Sequence, residues 1–119
     1  MAKHAIVHIE LSAKDPKGAG DFYKKLFGWK IEADEQLNYL QFTPDEGPGG
    51  GFNQVGENTS AGEVVVYVST EDIEGSLAKA EKLGGKSVMP KTEIPGIGWF
   101  GLFLDPTGNK VGLYTAMPR

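Results

Sequence analysis

The chain has no cysteine, which excludes disulfide staples and thiolate metal sites together. It has no apolar run long enough to span a bilayer, and its first residues lack the apolar stretch of a secretory signal. A cytoplasmic protein is therefore expected. Basic charge is sparse and scattered. Twelve Lys and Arg face sixteen Asp and Glu, for a net charge of -4, with no basic block. Nucleic acid and anionic membranes, which both need a concentrated positive face, are not expected partners. Histidine is confined to His4 and His8, so nitrogen donors for a metal are few. Glycine, by contrast, is abundant at 17 of 119 residues, which favours short strands, tight turns and close backbone approaches.

The chain also repeats itself at an offset of 57. Val7-His-Ile-Glu-Leu-Ser-Ala-Lys-Asp15 lies over Val64-Val-Val-Tyr-Val-Ser-Thr-Glu-Asp72, Leu26 over Leu83 and Gly28 over Gly85. Each copy alone is too small to bury a core well, so the length fits one domain, residues 1–119, made of two modules. Their expected limits are about 4–56 and 63–116. At the same offset His8 has Val65 as its counterpart: an imidazole in one copy, a hydrocarbon in the other.

Alternation from Ile6 to Leu11 places Ile6, His8 and Glu10 on one face of a strand and Val7, Ile9 and Leu11 on the other. Asp15-Pro16 opens a helix with Asp as cap. Ala19, Phe22, Tyr23 and Leu26 fall at helical spacing, and Gly28 stops the helix. Strands are expected at Trp29–Glu32, Tyr39–Thr43 and near Phe52–Val55, with Asp45–Gly51 as a glycine-rich turn. In the second copy Val64–Ser69 is a strand, and Thr70-Glu-Asp72 caps a helix carrying Ile73, Leu77, Ala80 and Leu83. Strands follow at Ser87–Pro90, Trp99–Leu104 and Lys110–Thr115, with Lys91–Gly98 as a loop that could cover a pocket. Asp105-Pro-Thr-Gly108 is a tight turn. Each copy reads βαβββ and the fold class is α+β: a curved mixed sheet with helices outside. Sheet edges left by so small a module pair favour a homodimer.

Asp15 to Trp29, with its Phe-Tyr-x-x-x-Phe-Gly-Trp stretch, resembles the vicinal oxygen chelate superfamily of glyoxalase I, bleomycin-resistance proteins and extradiol dioxygenases. Glu71-Asp-Ile, Gly84-Gly85 and Trp99-Phe…Asp105-Pro-Thr-Gly-Asn resemble it too, so the likeness runs from about His8 to Tyr114. The resemblance implies four metal-ligand positions, on the first and last strand of each module. Carried over, they fall on His8, on Gly50 within Gly49-Gly-Gly51, on Val65 and on Gly112, with Gly50 paired to Gly112 at an offset of 62. His8 alone can hold a metal, whereas a catalytic zinc needs three protein ligands and non-haem iron two His and a carboxylate. No metal or other cofactor is therefore expected.

In this superfamily the concave face of the sheet holds the ligand. By alternation that face would carry His8, Glu10 and Ser12 from the first strand, and Val65, Tyr67 and Ser69 from the fifth. Trp99 and Phe103 would line it from the seventh strand and Gly112 and Tyr114 from the last, with the glycines leaving room. Tyr67, Trp99, Phe103 and Tyr114 are the ligand-binding candidates, aromatic walls being usual in small-molecule pockets. His8 and Glu10 are the candidate catalytic pair, read either as acid and base or as a hydrogen-bonded structural pair. Two functions stay open. One is metal-independent binding of a small, partly aromatic or apolar molecule, as in the drug-resistance branch. The other is a lyase, isomerase or dioxygenase using His8 and Glu10, with or without a divalent metal.

Overall fold

A computed structural model describes residues 4–36, 38–57 and 59–118. The chain forms two compact units, residues 7–65 and residues 4–6 with 66–118. The first contains β1 (Ile6–Ala13, from Val7), α1 (Pro16–Phe27), β2 (Lys30–Asp34), β3 (Tyr39–Thr43) and β4 (Gly49–Gln54). The second follows with β5 (Val64–Ser69, from Val66), α2 (Ile73–Lys82), β6 (Lys86–Ile94), β7 (Gly98–Leu104) and β8 (Lys110–Ala116). Both are βαβββ, and the fold is α+β as the repeat implied. Within each unit the outer strands pair antiparallel, while the first strand pairs parallel with the last, β1 with β4 and β5 with β8.

The two helices start differently. Asp72 accepts a 2.9 Å hydrogen bond from the Gly75 N–H and so caps α2. Asp15 makes no such bond, and Pro16 starts α1 by its fixed φ instead. Gly28, at φ 73°, ends α1 with its N–H on the Lys24 carbonyl, a left-handed position where a side chain would be strained.

α1 covers a core of Ala13, Phe42 and Phe52, with Ile9, Leu11, Tyr23 and Trp29 against it. Its aromatic rings stack in sequence, Tyr23 on Trp29 at 5.2 Å and Trp29 on Phe42 at 4.7 Å between centroids. Phe22 and Leu26, expected at the buried face, are instead exposed, because Ala19 and Tyr23 take the contact with the sheet. α2 covers Ile73, Leu77 and Leu113, with Val68, Trp99 and Phe103 packed on them.

Two expected loops are strand. Gly49–Gly51 opens β4 rather than closing a turn. A Cβ at Gly50 would overlap the Ile9 carbonyl and the Phe42 ring, so the glycines mark close approach and not a reversal. Lys91–Ile94 belongs to β6, with Thr92, Glu93 and Ile94 opposite Phe100, Trp99 and Gly98. Only the tight turn at residues 95–97 remains, so no lid is formed there.

Candidate functional site

In the first unit Ile9 and Leu11 turn toward α1, which leaves His8 and Glu10 on the opposite face of β1. Parallel pairing sets Glu10 opposite Gly51, and antiparallel pairing sets Gln41 of β3 opposite Gly51 from the other side. Tyr39, two residues before Gln41, therefore shares this face, and its ring lies over Gly51. A Cβ at Gly51 would overlap the Tyr39 hydroxyl.

The three side chains meet. His8 Nε2 lies 2.7 Å from Glu10 Oε2 and 2.8 Å from Tyr39 Oη. The Tyr39 hydroxyl donates to the same carboxylate oxygen. An ionised carboxylate can only accept, so with Glu10 ionised Nε2 carries the His8 ring proton. Glu10 is buried, at 8% exposure, while His8 is partly open. A buried carboxylate needs such donors, since leaving it unpaired costs several kcal/mol, on the order of 3–5. Tyr39 was read only as the start of a strand and not as a site residue: it lies 29 residues from Glu10 along the chain. Only the β3–β4–β1 register brings them together.

The second unit has a matching feature. Tyr67 pairs with Gly112, and a Cβ at Gly112 would overlap the Tyr67 ring. Glu10 and Tyr67 are equivalent at the 57-residue offset, so their partners Gly51 and Gly112 are equivalent at 61. The ligand position assigned to Gly50 thus moves to Gly51, because Gly50 points into the Phe42 core. The room expected above these glycines is filled by tyrosine.

Tyr67 and Tyr114 lie on the face away from α2, as alternation required. Their neighbours Val68 and Leu113 pack on α2. Burial raises the Tyr114 phenol pKa, and its hydroxyl reaches the Ile97 carbonyl at 3.4 Å. Trp99 and Phe103 are corrected: both pack on the α2 side. The β7–β8 register sets Gly101 opposite Leu113, and the bare Gly101 accepts Ile73 and Leu77 of the helix. Trp99 and Phe103 flank it on that face, with Lys91 Nζ 5.0 Å from the Trp99 ring centre. Phe100, opposite Tyr114, and Leu102, opposite Gly112, take the other face. Glycine between two aromatics was the available signal, since the residue beneath a helix is the one that must be small.

Asp105 is the turn residue it was read to be. Its carboxylate accepts from the Thr107 and Asn109 N–H groups and from both side chains, which lowers its pKa to about 2.

The glyoxalase-like domain family matches residues 8–114. The chain belongs to that family. It lies within the vicinal oxygen chelate superfamily that the motifs resemble. "Putative glyoxylase CFP32" of Mycobacterium bovis is 26% identical over an alignment of 124 positions, covering 91% of this chain and 44% of the relative. The Mycobacterium tuberculosis protein of that name matches equally, so the chain spans less than half the length of these curated relatives. Among solved structures, hypothetical protein BH1468 from Bacillus halodurans aligns at TM-score 0.74 with 10% identity, covering 99% of this chain and 98% of that one. A glyoxalase/bleomycin resistance protein/dioxygenase superfamily member from Vibrio splendidus aligns at 0.66 with 16% identity, covering 95% and 99%. At such identities these likenesses establish the fold alone.

His8 and Glu10, with Tyr39, make up the donor cluster on this face of the glyoxalase-like domain. His8 and Glu10 supply one nitrogen and one carboxylate from a single strand, already bonded to each other and to Tyr39. The remaining ligand positions hold Gly51, Val65 and Gly112. Among the described residues no three His, Cys, Asp or Glu side chains converge. None of the described helices is long and apolar enough to cross a membrane.

Proposed function

We propose that this glyoxalase-like domain binds a small organic molecule without a metal, with His8, Glu10 and Tyr39 as its polar anchor. The observation that carries this reading is the tyrosine ring over each former ligand glycine, Tyr39 on Gly51 and Tyr67 on Gly112. A ligand side chain at either place would require that ring to leave. His8, more open than Glu10, is the member of the anchor set to meet a ligand, and Glu10 and Tyr39 hold its orientation. In the second unit Tyr67, Phe100 and Tyr114 form an aromatic face suited to planar or apolar groups.

A second reading rests on the same cluster. The Tyr39–Glu10–His8 chain could relay a proton to or from a bound substrate, which makes a metal-independent isomerase or lyase the alternative.

The deciding experiment is elemental analysis after incubation with Ni, Zn, Mn and Fe and removal of the excess, with His8→Ala as control. The expected result is below about a tenth of an equivalent in every case. Near one equivalent, lost in His8→Ala, would overturn the metal-independent reading. A thermal-shift screen of aryl and alkyl compounds then identifies ligands of the folded protein. With such a ligand in hand, a loss of turnover of about a hundredfold in His8→Ala would select the enzyme reading.

A further inference from the structure

Leu40, Phe42 and Phe52 pack into the core beneath α1, so the residues that alternate with them on β3 and β4 face the other way, with the anchor. Two of these are carboxamides. Gln41 lies opposite Gly51 in the β3–β4 register, and Asn53 lies opposite Ser12 in the β1–β4 register. Continued by one residue, the β3–β4 register sets Asn53 beside Tyr39. Tyr39, Gln41, Gly51 and Asn53 therefore mark the corners of one square of the sheet. The Tyr39 ring runs along one diagonal, from its own strand to Gly51. Gln41 and Asn53 stand at the ends of the other, about 7–8 Å apart, one on each side of the ring.

Their bonding reverses the usual pattern, in which burial brings a partner. Gln54 and Asn109 are exposed, yet their side-chain amides donate to the Lys14 carbonyl and to Asp105 and Thr107. Gln41 and Asn53 are half-buried, yet among the described residues neither carboxamide has a hydrogen-bond partner. None of their amide atoms is sealed from solvent. Each thus turns an unused carbonyl and an unused NH2 outward beside Tyr39.

The charge around them narrows what could fit. A shallow hollow of about 440 Å³ opens beside Gln41, with Glu32 and Asp34 in its wall. Glu32 lies opposite Gln41, and Asp34 opposite Tyr39. Among the described strand residues of this face, Lys30 is the only Lys or Arg against Glu10, Glu32 and Asp34, so an anion suits it poorly. A cation would meet the two carbonyls but leave both NH2 groups without an acceptor. A neutral edge with donor beside acceptor satisfies both halves of a carboxamide.

We propose that Gln41 and Asn53 are the specificity residues of this face and select a neutral ligand with an amide-type edge. The inference rests on the reading of His8, Glu10 and Tyr39 as a ligand anchor, and it adds the chemistry of what is anchored.

Benzamide tests this on the whole isotope-labelled chain by NMR, with benzoate and acetophenone as matched anionic and acceptor-only probes. Benzamide should bind with a dissociation constant on the order of millimolar, as suits a fragment of its size. It should shift the side-chain NH2 signals of Gln41 and Asn53 along with the His8 ring, and leave those of Gln54 and Asn109 in place. Benzoate and acetophenone should each bind about fivefold more weakly. Gln41→Met and Asn53→Leu, with circular dichroism to verify folding, should each weaken benzamide about fivefold. Each should also narrow its lead over acetophenone, a change in selectivity that a structural role would not produce. Benzamide that shifts His8 but neither carboxamide would overturn the inference and leave the anchor standing. Benzoate binding as tightly as benzamide, or variants that keep the wild-type preference, would overturn it as well. Silence at His8 and both carboxamides up to about 50 mM benzamide would remove the amide class, and the anchor would then stand or fall on the thermal-shift screen.

Discussion

Replacing Tyr39 by Phe isolates the hydroxyl of the anchor cluster. The ring over Gly51 is kept, so packing there is unchanged, and what is removed is the hydroxyl that donates to Glu10 and meets His8 Nε2. A hydrogen bond to a charged group is worth about 1.5–3 kcal/mol, and Glu10 is too buried for water to replace the donor well. His8 Nε2, at 2.7 Å, still serves the carboxylate, which places the cost in the lower half of that range, about 1.5–2 kcal/mol. For a chain of this length that lowers the melting temperature by roughly 5–10 °C. Urea unfolding at pH 7 followed by tryptophan fluorescence measures it. Glu10→Gln and the double variant complete the cycle, with a coupling of about 1 kcal/mol expected between the two residues. If Tyr39→Phe costs less than about 0.5 kcal/mol, or the two changes simply add, the cluster does not hold the carboxylate and the argument for a shared anchor fails.

The turn at Asp105 and the second tyrosine–glycine contact yield separate tests. The Asp105 pKa is depressed from 3.8 to about 2, so its contribution is present above pH 4 and is lost as pH falls through about 2. Asp105→Asn should lower the melting temperature at neutral pH, with the deficit closing between pH 4 and pH 2. A constant deficit down to pH 2 would show that the charge is not what the turn donors hold. Gly112→Ala should cost about 1–3 kcal/mol by forcing the Tyr67 ring aside. The penalty should shrink in a Tyr67→Ala background, and an equal penalty there would place the clash elsewhere.

Legibility differed from element to element for physical reasons. The period-two pattern of β1 sorted His8 and Glu10 from Ile9 and Leu11 without further information, because pleating alone sends alternate side chains to opposite faces. The same pattern in β7 could not say which face was which, since both of its alternating sets contain large apolar residues. α2 settled it by resting on Gly101. Glycine misled at β4, where Gly49-Gly-Gly51 reads as a turn but serves the close passage of Ile9, Phe42 and Tyr39.

The sequence by itself determined the βαβββ repeat, the α+β class, the family and the poverty of metal donors. Each of these depends on residue type, local spacing or self-similarity along the chain. Tertiary structure alone decided that Tyr39 joins His8 and Glu10, that Gly51 and not Gly50 shares their face, and that Trp99 and Phe103 lie under α2. Those facts depend on strand register and helix placement, where a shift of one residue turns a side chain from one face of the sheet to the other.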